Sequence, residues 1–383
     1  MNDLKECAVI IPIYKTELNN QEKISLYQVC NVLKDFDCIV VAPADLDLMQ
    51  HGVWTRVERF DNGYFMGISS YNRLMLSPEF YKRFQQYEYI LIYQLDAFVF
   101  EDKLSYFCDL GYDYIGAPWL HGMFNYIDEK HCVWHVGNGG LSLRKVSSFI
   151  ELLEERNPLA DEQIKNEDLF YSSIISEKFR VAPLEVALRF AFERQVEQCY
   201  ERNHKELPFG CHAWGRYNPQ FWKKHIEKYG YTLSVDYENS GGEDSRRYRE
   251  YQVYSALSSF LEQSYDTKVI RNRLIEVFGY QKKGVLIFGA GFYGRALSRW
   301  LSDVEVSIVG FCDNNRELVG RRLQGHAIYR IDEMPFAKED ICIVIANYEH
   351  EGEMANQLEE LLFERKKDYI TFTDFVELLT GEL

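Results

Sequence analysis

Short apolar runs, among them AVIIPI, CIVVAP, YILIY and GVLIF, each stop at polar or turn residues and are followed by stretches with helical spacing. Alternation of that kind limits the chain to an α/β architecture, with strands buried between helices. A first strand is predicted over 8–13, a helix over Gln21–Leu33 and a second strand over Cys38–Ala42, ending at Pro43. Helices over Gly67–Leu76 and Pro78–Gln86 then precede a strand from Tyr89. The alternation implies a parallel sheet. The third run continues as YILIYQLDAFVF, so Gln94-Leu95-Asp96 sits where a buried strand leaves the sheet, the place where open α/β sheets take their ligands.

Further along lie an aromatic loop through Tyr126, the turn VGNGG followed by LSLR, a helix over Lys145–Glu155, the acidic segment NEDLF and the segment PFGCHAW. A charged helical stretch after Asp244 ends at GYQKKG, which marks a domain boundary. The expected division is a first domain over 1–243, a helical connector over 244–283 and a small Rossmann-like domain over 284–383. The 383 residues, 46% hydrophobic, suffice for two cores.

Charge narrows the ligand class. With 43 basic against 59 acidic residues the net charge is −16, which argues against a nucleic-acid partner, and an anionic ligand must be held locally. No run approaches the roughly 18–20 apolar residues of a membrane span. The N-terminal run is too short and too weakly basic for a secretory signal. The nine cysteines include no CxxC pair and read as reduced thiols, so the expected compartment is the cytoplasm, with the inner face of the membrane as a place of contact. The 27 tyrosines suit either aromatic cores or a sugar-binding cleft.

An acidic residue at a strand end, a Gly-Gly turn, an acidic pair opening a helix and a late histidine are the parts needed to move a sugar from a nucleoside diphosphate. The leaving diphosphate gathers negative charge, which a divalent cation held by carboxylate and imidazole neutralises. Asp96 and His212 are the metal-ligand candidates. Both residues also have plain structural readings, as a strand-end turn and a core histidine.

The order PIY, YNR, QLDA, GNGG, ED and a late His resembles GT-A glycosyltransferases over about residues 7–220. It looks most like a bacterial family catalogued mainly as a domain of unknown function. The resemblance implies a nucleotide-sugar donor (a UDP sugar), Mn2+ or Mg2+, and a glycan acceptor on a surface polysaccharide, lipid-linked oligosaccharide or glycoprotein. In such enzymes the strand ends in Asp-any-Asp; here Gln94 stands at the first position, where its amide can still bond a ribose hydroxyl. By the same resemblance Asp168 is the base that deprotonates the acceptor in an inverting reaction, and Glu167 positions the acceptor. Gly139 and Gly140 line the donor sugar. Pro12 and Tyr14 suit the base, and Asn72 and Arg73 the diphosphate, for which a guanidinium fork is apt. Trp119 and Trp134 are stacking candidates.

Gly289, Gly291 and Gly294 form GxGxxG between a strand and a helix, and Asp313 ends the next strand, the arrangement that binds a nucleotide's pyrophosphate and ribose. Those glycines equally serve tight packing. This domain reads as an accessory that binds a nucleotide, a partner or a second copy of the chain. Two rival readings stand beside the transferase. One is an NAD-dependent sugar-nucleotide oxidoreductase or epimerase, against which no Tyr after Gly284 is followed four residues later by Lys. The other is a non-catalytic glycan-binding protein, supported by Gln94.

Overall fold

A computed structural model describes residues 4–48, 56–120, 136–160, 166–172, 174, 178–233, 266–278, 284–348 and 350–381, with short helical pieces between 252 and 260. The aromatic loop through Tyr126, Trp134, GYQKKG up to Lys283 and most of the 244–265 connector lie outside the described residues. Two compact units emerge, one within Met1–Leu120 and Trp134–Ser240, the other within Gly241–Leu383.

The strands of the first unit are β1 (Lys5–Pro12), β2 (Asp37–Pro43), β3 (Val57–Phe60), β4 (Tyr87–Tyr93), β5 (Phe98–Val99), β6 (Tyr114–Ile115), β7 (Ala117–Pro118), β8 (Val136–Gly137), β9 (Leu141–Lys145), β10 (Ala191–Phe192) and β11 (Gly210–Cys211). Its main sheet runs β3-β2-β1-β4-β9-β6. The β3, β2, β1 and β4 strands are parallel, with Val9 beside Cys38 on one side and Leu91 on the other. β9 runs antiparallel to both β4 and β6. The sheet is therefore mixed where alternation implied a parallel one: β9 is entered from β8 through the Gly139-Gly140 turn, so its direction is free to reverse.

Alternation along each strand sends side chains to two cores. Val9, Ile11, Val40, Ala42, Leu91 and Tyr93 face the layer of the helices Asn20–Val32 and Leu104–Asp109. Ala8, Ile10, Ile39, Val41, Ile90 and Ile92 face the other layer, filled by Leu74, Phe80, Tyr81, Phe149 and Tyr171. The helix Asn20–Val32 begins at a capping box formed by Asn19 and Glu22. Buried on both faces, the strands read as near-continuous apolar runs.

A smaller sheet, β10-β11-β5, sits at the ligand edge. β10 and β11 are parallel, with Phe192 beside Cys211, and β11 is antiparallel to β5, with Cys211 beside Phe98.

The second unit holds β12 (Gly284–Phe288), β13 (Ile308–Cys312), β14 (Arg322–Leu323), β15 (His326–Tyr329), β16 (Ile341–Ile345) and β17 (Tyr369–Ile370) in the order β14-β15-β13-β12-β16-β17. All pairs except β14 with β15 are parallel. Val285 and Ile287 pack against Leu297, Trp300, Phe375 and Val376 on one face, and Leu286 and Phe288 pack against Met354 and Leu358 on the other. This is a Rossmann-like half-fold, and its order reverses beside β12.

Eight cysteines among the described residues are free thiols. Among the described residues no helix is long and apolar enough to cross a membrane.

Candidate functional site

The chain reverses at the end of β4 through a turn closed by the Ala97 N–H donating to the Gln94 carbonyl at 2.9 Å. The Gln94 N–H in turn donates to the Gly140 carbonyl at 2.8 Å, so the β4 end and the Gly-Gly turn are tied together. Asp96 precedes β5, His212 follows β11 and Glu193 follows β10. The pairing of those three strands delivers three polar side chains to one edge.

There Asp96 Oδ1 lies 3.0 Å from His212 Nε2, and Gln94 Oε1 lies 3.2 Å from the same nitrogen. The other ring nitrogen, Nδ1, faces Glu193 Oε1 at 3.3 Å. Asp96 is 54% exposed at its side chain whereas His212 is 10% exposed, so the carboxylate fronts solvent with the imidazole behind it. Desolvation opposes a charge on the ring, but Asp96 and then Glu193 outweigh it and hold the imidazolium up to about 10. Desolvation likewise opposes the charge on Asp96, and the adjacent imidazole keeps it below its ordinary range.

The donor set is one carboxylate oxygen, one amide oxygen and one imidazole nitrogen, a combination that suits Mn2+ or Mg2+ once the ring is neutral. Among the described residues no three His, Cys, Asp or Glu side chains cluster to hold a metal ion. Asp96, His212 and Gln94 would hold such a cation only with further oxygen donors from outside the protein. Room for the ring depends on Gly140, where an added β-carbon would lie 2.0 Å from His212 Nε2.

Behind the turn stands Arg144, wholly buried on β9. Its Nη2 donates to Glu167 Oε1 at 3.0 Å and to the Gly139 carbonyl at 3.3 Å, its Nη1 to the Tyr81 hydroxyl at 2.8 Å and its Nε to Ser142 at 3.0 Å. The guanidinium also lies over the rings of Tyr114, Phe149 and Tyr171. Glu167 is 4% exposed. Its Oε1 sits where a β-carbon on Gly139 would come within 1.8 Å, and its Oε2 has no hydrogen-bond partner among the described residues. Asn138 completes the turn at φ 90°, its side-chain oxygen accepting from the Gly140 N–H at 2.8 Å.

Asp168, half-buried at the start of the helix Glu167–Ser172, accepts from the Leu169 N–H at 2.8 Å. Burial first, then the charge of Glu167, pushes its carboxyl up to about 7. Proton acceptance near neutral pH is what such a group offers.

Pro12 is buried at the end of β1 and Tyr14 is 58% exposed just beyond, where desolvation first, and the Asp96 charge least, push its hydroxyl above the ordinary range. Asn72 is buried on the helix Ile68–Met75, its amide 3.4 Å from Asn166. Arg73, exposed on the same helix, makes no ion pair among the described residues. The Trp119 ring lies over Gly137, where a β-carbon would meet it at 2.1 Å, and is 7% exposed.

In the second unit Gly289 takes φ 111°, and Gly294 packs so closely that a β-carbon would lie 1.8 Å from the Gly289 carbonyl. Gly291, at the start of the helix Phe292–Asp303, has open space around it. Asp313 accepts from the Ala290 N–H at 2.7 Å and the Asn315 N–H at 2.8 Å, which ties the glycine turn to the end of β13.

Sequence reasoning brought forward Asp96, Gln94, His212, Gly139 and Gly140, and the fold assembles them. Glu193, which follows an ordinary apolar pair, and Arg144 are not among the residues that the sequence brings forward. The one available signal for Arg144 was a lone arginine inside the strand LSLR.

An α/β unit with a polar cluster at the carboxyl edge of its parallel strands defines the class. A family profile described as "Protein of unknown function (DUF5672)" matches residues 55–212, and one described as "C2185-like, N-terminal" matches 281–368. The redox-sensing transcriptional repressor Rex of Natranaerobius thermophilus is 30% identical over 73 residues, 18% of this chain; the chain spans about a third of that relative's length, 33%. Among solved structures, a glycosyltransferase involved in glycosylation of the major capsid of PBCV-1 aligns at 13% identity and a TM-score of 0.35, over 58% of this chain and 99% of the other. The galactosyltransferase LgtC, in complex with donor and acceptor sugar analogs, aligns at 13% and 0.36, over 68% and 98%. The glycosyltransferase GlyE of Streptococcus pneumoniae aligns at 10% and 0.35, over 93% and 99%. Overlays at this level leave the fold to be defined by the strand order itself.

Proposed function

We propose that the first unit is a GT-A-type glycosyltransferase, dependent on Mn2+ or Mg2+, that moves a sugar from a nucleoside diphosphate sugar, a UDP sugar on this reading, to a glycan hydroxyl with inversion. The observation that carries it is the convergence of Asp96 Oδ1 and Gln94 Oε1 on His212 Nε2 beside the Gly139-Gly140 turn. When bound, the cation would offset the charge growing on the diphosphate. Asp96 and His212 would hold it, and Gln94 adds an amide oxygen toward it or a ribose hydroxyl.

Exposed Tyr14, with Pro12 behind it, suits the nucleotide base. Arg73, which makes no ion pair among the described residues, offers its guanidinium to the diphosphate, and Asn72 on the same helix adds an amide. Asp168 takes the acceptor's proton as the acceptor oxygen bonds the anomeric carbon and the bond to the diphosphate breaks. Glu167, buried and paired with Arg144, raises the proton affinity of Asp168 through its charge.

The second unit is, on this reading, an accessory domain spanning 284–383. Gly291 is open for a pyrophosphate at a helix N-terminus and Asp313 lies near for a ribose, while Gly289 and Gly294 shape the turn. A 244–283 connector joins this domain to a transferase of 1–243, which works in the cytoplasm or at the inner membrane face on a polysaccharide, lipid-linked or glycoprotein acceptor. A panel of nucleotide sugars, with and without Mn2+, tests this by thermal shift and sugar release. A metal-dependent upward shift with one donor is expected; no response to any donor would refute it.

A further inference from the structure

β10 and β11 leave their sheet side by side, Phe192 against Cys211. The next residue on each strand is therefore forced to the same edge: Glu193 on one and His212 on the other. The His212 N–H donates to the Phe192 carbonyl at 3.0 Å, which fixes the backbone beneath the ring. Glu193 Oε1 then meets Nδ1 at 3.3 Å, with 15% of its side chain exposed.

Glu193 lies on the ring nitrogen opposite the one that faces Asp96 and Gln94, so it cannot share a cation with them. Its effect on the ring is of another kind. A neutral imidazole carries one N–H and one lone pair, and a carboxylate only accepts. Without a cation, Asp96 Oδ1 at 3.0 Å and Gln94 Oε1 at 3.2 Å take an N–H from Nε2; a cation between them displaces that proton, and the one N–H that the ring keeps is on Nδ1, where the Glu193 carboxylate accepts it. Carboxylates placed in this way orient metal-binding histidines and raise their basicity.

We infer that Glu193 is a positioning residue that locks His212 with Nε2 toward Asp96 and Gln94, so that the ring is poised to ligate a divalent cation. This rests on the metal-dependent reading above.

The test is titration of the full-length protein with Mn2+ alone, followed by the electron paramagnetic resonance of the free ion, on wild type, Glu193→Ala, Glu193→Gln and Asp96→Ala. Nitrogen NMR of the protein loaded with diamagnetic Mg2+ reports which ring nitrogen of His212 carries the N–H. Glu193→Ala should bind Mn2+ about 10- to 100-fold more weakly than wild type, with the Nδ1–H population of His212 reduced. Glu193→Gln, whose amide oxygen still accepts from Nδ1, should fall between the two. Wild-type binding with Glu193→Ala within twofold of it overturns the positioning role alone. Should Glu193→Ala fail to fold, Glu193→Gln decides, and equality with wild type in affinity and tautomer overturns the inference. Wild type that binds no better than Asp96→Ala overturns the metal reading, and the inference with it.

Discussion

Gly140 faces His212 so closely that a β-carbon added to the glycine would lie 2.0 Å from Nε2. The imidazole is 10% exposed and held between carboxylates, so it has little freedom to yield. Gly140→Ala should therefore displace the ring and cost on the order of 100-fold in turnover, the scale expected when a reacting group moves by about 1 Å. Steady-state rates and circular dichroism on the same preparation check this, with the fold retained.

Arg144 and Glu167 should matter to stability more than to chemistry. Removing one partner strands a buried charge, so Arg144→Met or Glu167→Leu alone should destabilise the first unit by roughly 3–5 kcal/mol, and the double substitution by clearly less. Denaturant unfolding monitored by tryptophan fluorescence measures the cycle. Equal loss in the double variant and in the sum of the singles would show that the pair does not act together.

Asp168 sets a pH limb. With its carboxyl near 7, transfer should rise as pH increases through about 7 and level off above it, and Asp168→Asn should abolish the limb together with most of the activity. The stability sign runs the other way. The unfolded residue titrates near its ordinary 3.8, so between there and about 7 the folded chain binds more protons, and the contribution of Asp168 to stability falls as pH rises. Asp168→Asn should thus melt above wild type at pH 8.

His225 carries the opposite dependence. It is buried in the helix Pro219–Ile226 against Phe221 and Tyr200, with neither ring nitrogen hydrogen-bonded among the described residues, and burial pulls it down to about 4. Its contribution is intact above its ordinary 6.5 and is lost as pH falls toward about 4, because the unfolded chain takes up the proton first. His225→Phe should narrow the difference in melting temperature between pH 7 and pH 5.

The glycines of the second unit separate packing from binding. Gly294→Ala would push a methyl to 1.8 Å from the Gly289 carbonyl and should lower the stability of that unit. Gly291→Ala has open space and should leave stability unchanged. Calorimetric titration with NAD and with UDP on both variants reports the rest: a nucleotide bound by wild type and lost in Gly291→Ala marks a binding turn.

Much of the fold was legible because its strands are buried on both faces. Continuous apolar runs gave β1, β2, β4 and β12 to within a few residues, and the helix expected over Gln21–Leu33 is the observed Asn20–Val32. The direction of β9 was not legible, since LSLR reads the same either way and only the turn before it decides. In the site, Asp96 and Gln94 were visible because they break an apolar run. Glu193 was not, because its meaning comes from β10 lying beside β11, a pairing between segments that carry two residues each. The anchoring of Glu167 by Arg144 was hidden for a like reason: sequence shows an acidic helix start, which the helix dipole alone would favour, and not the arginine beneath it.

The claim on which the rest depends is that Asp96 with His212 holds a cation against a nucleotide sugar. Its most direct measurement is Mn2+-dependent release of nucleoside diphosphate from the best donor of the panel, by wild type and by Asp96→Ala at matched folding. The account predicts turnover in wild type that chelation abolishes, and at least about a 100-fold loss in Asp96→Ala, the scale of removing a major source of charge stabilisation. Equal turnover by the two proteins, or turnover indifferent to chelation, would contradict it.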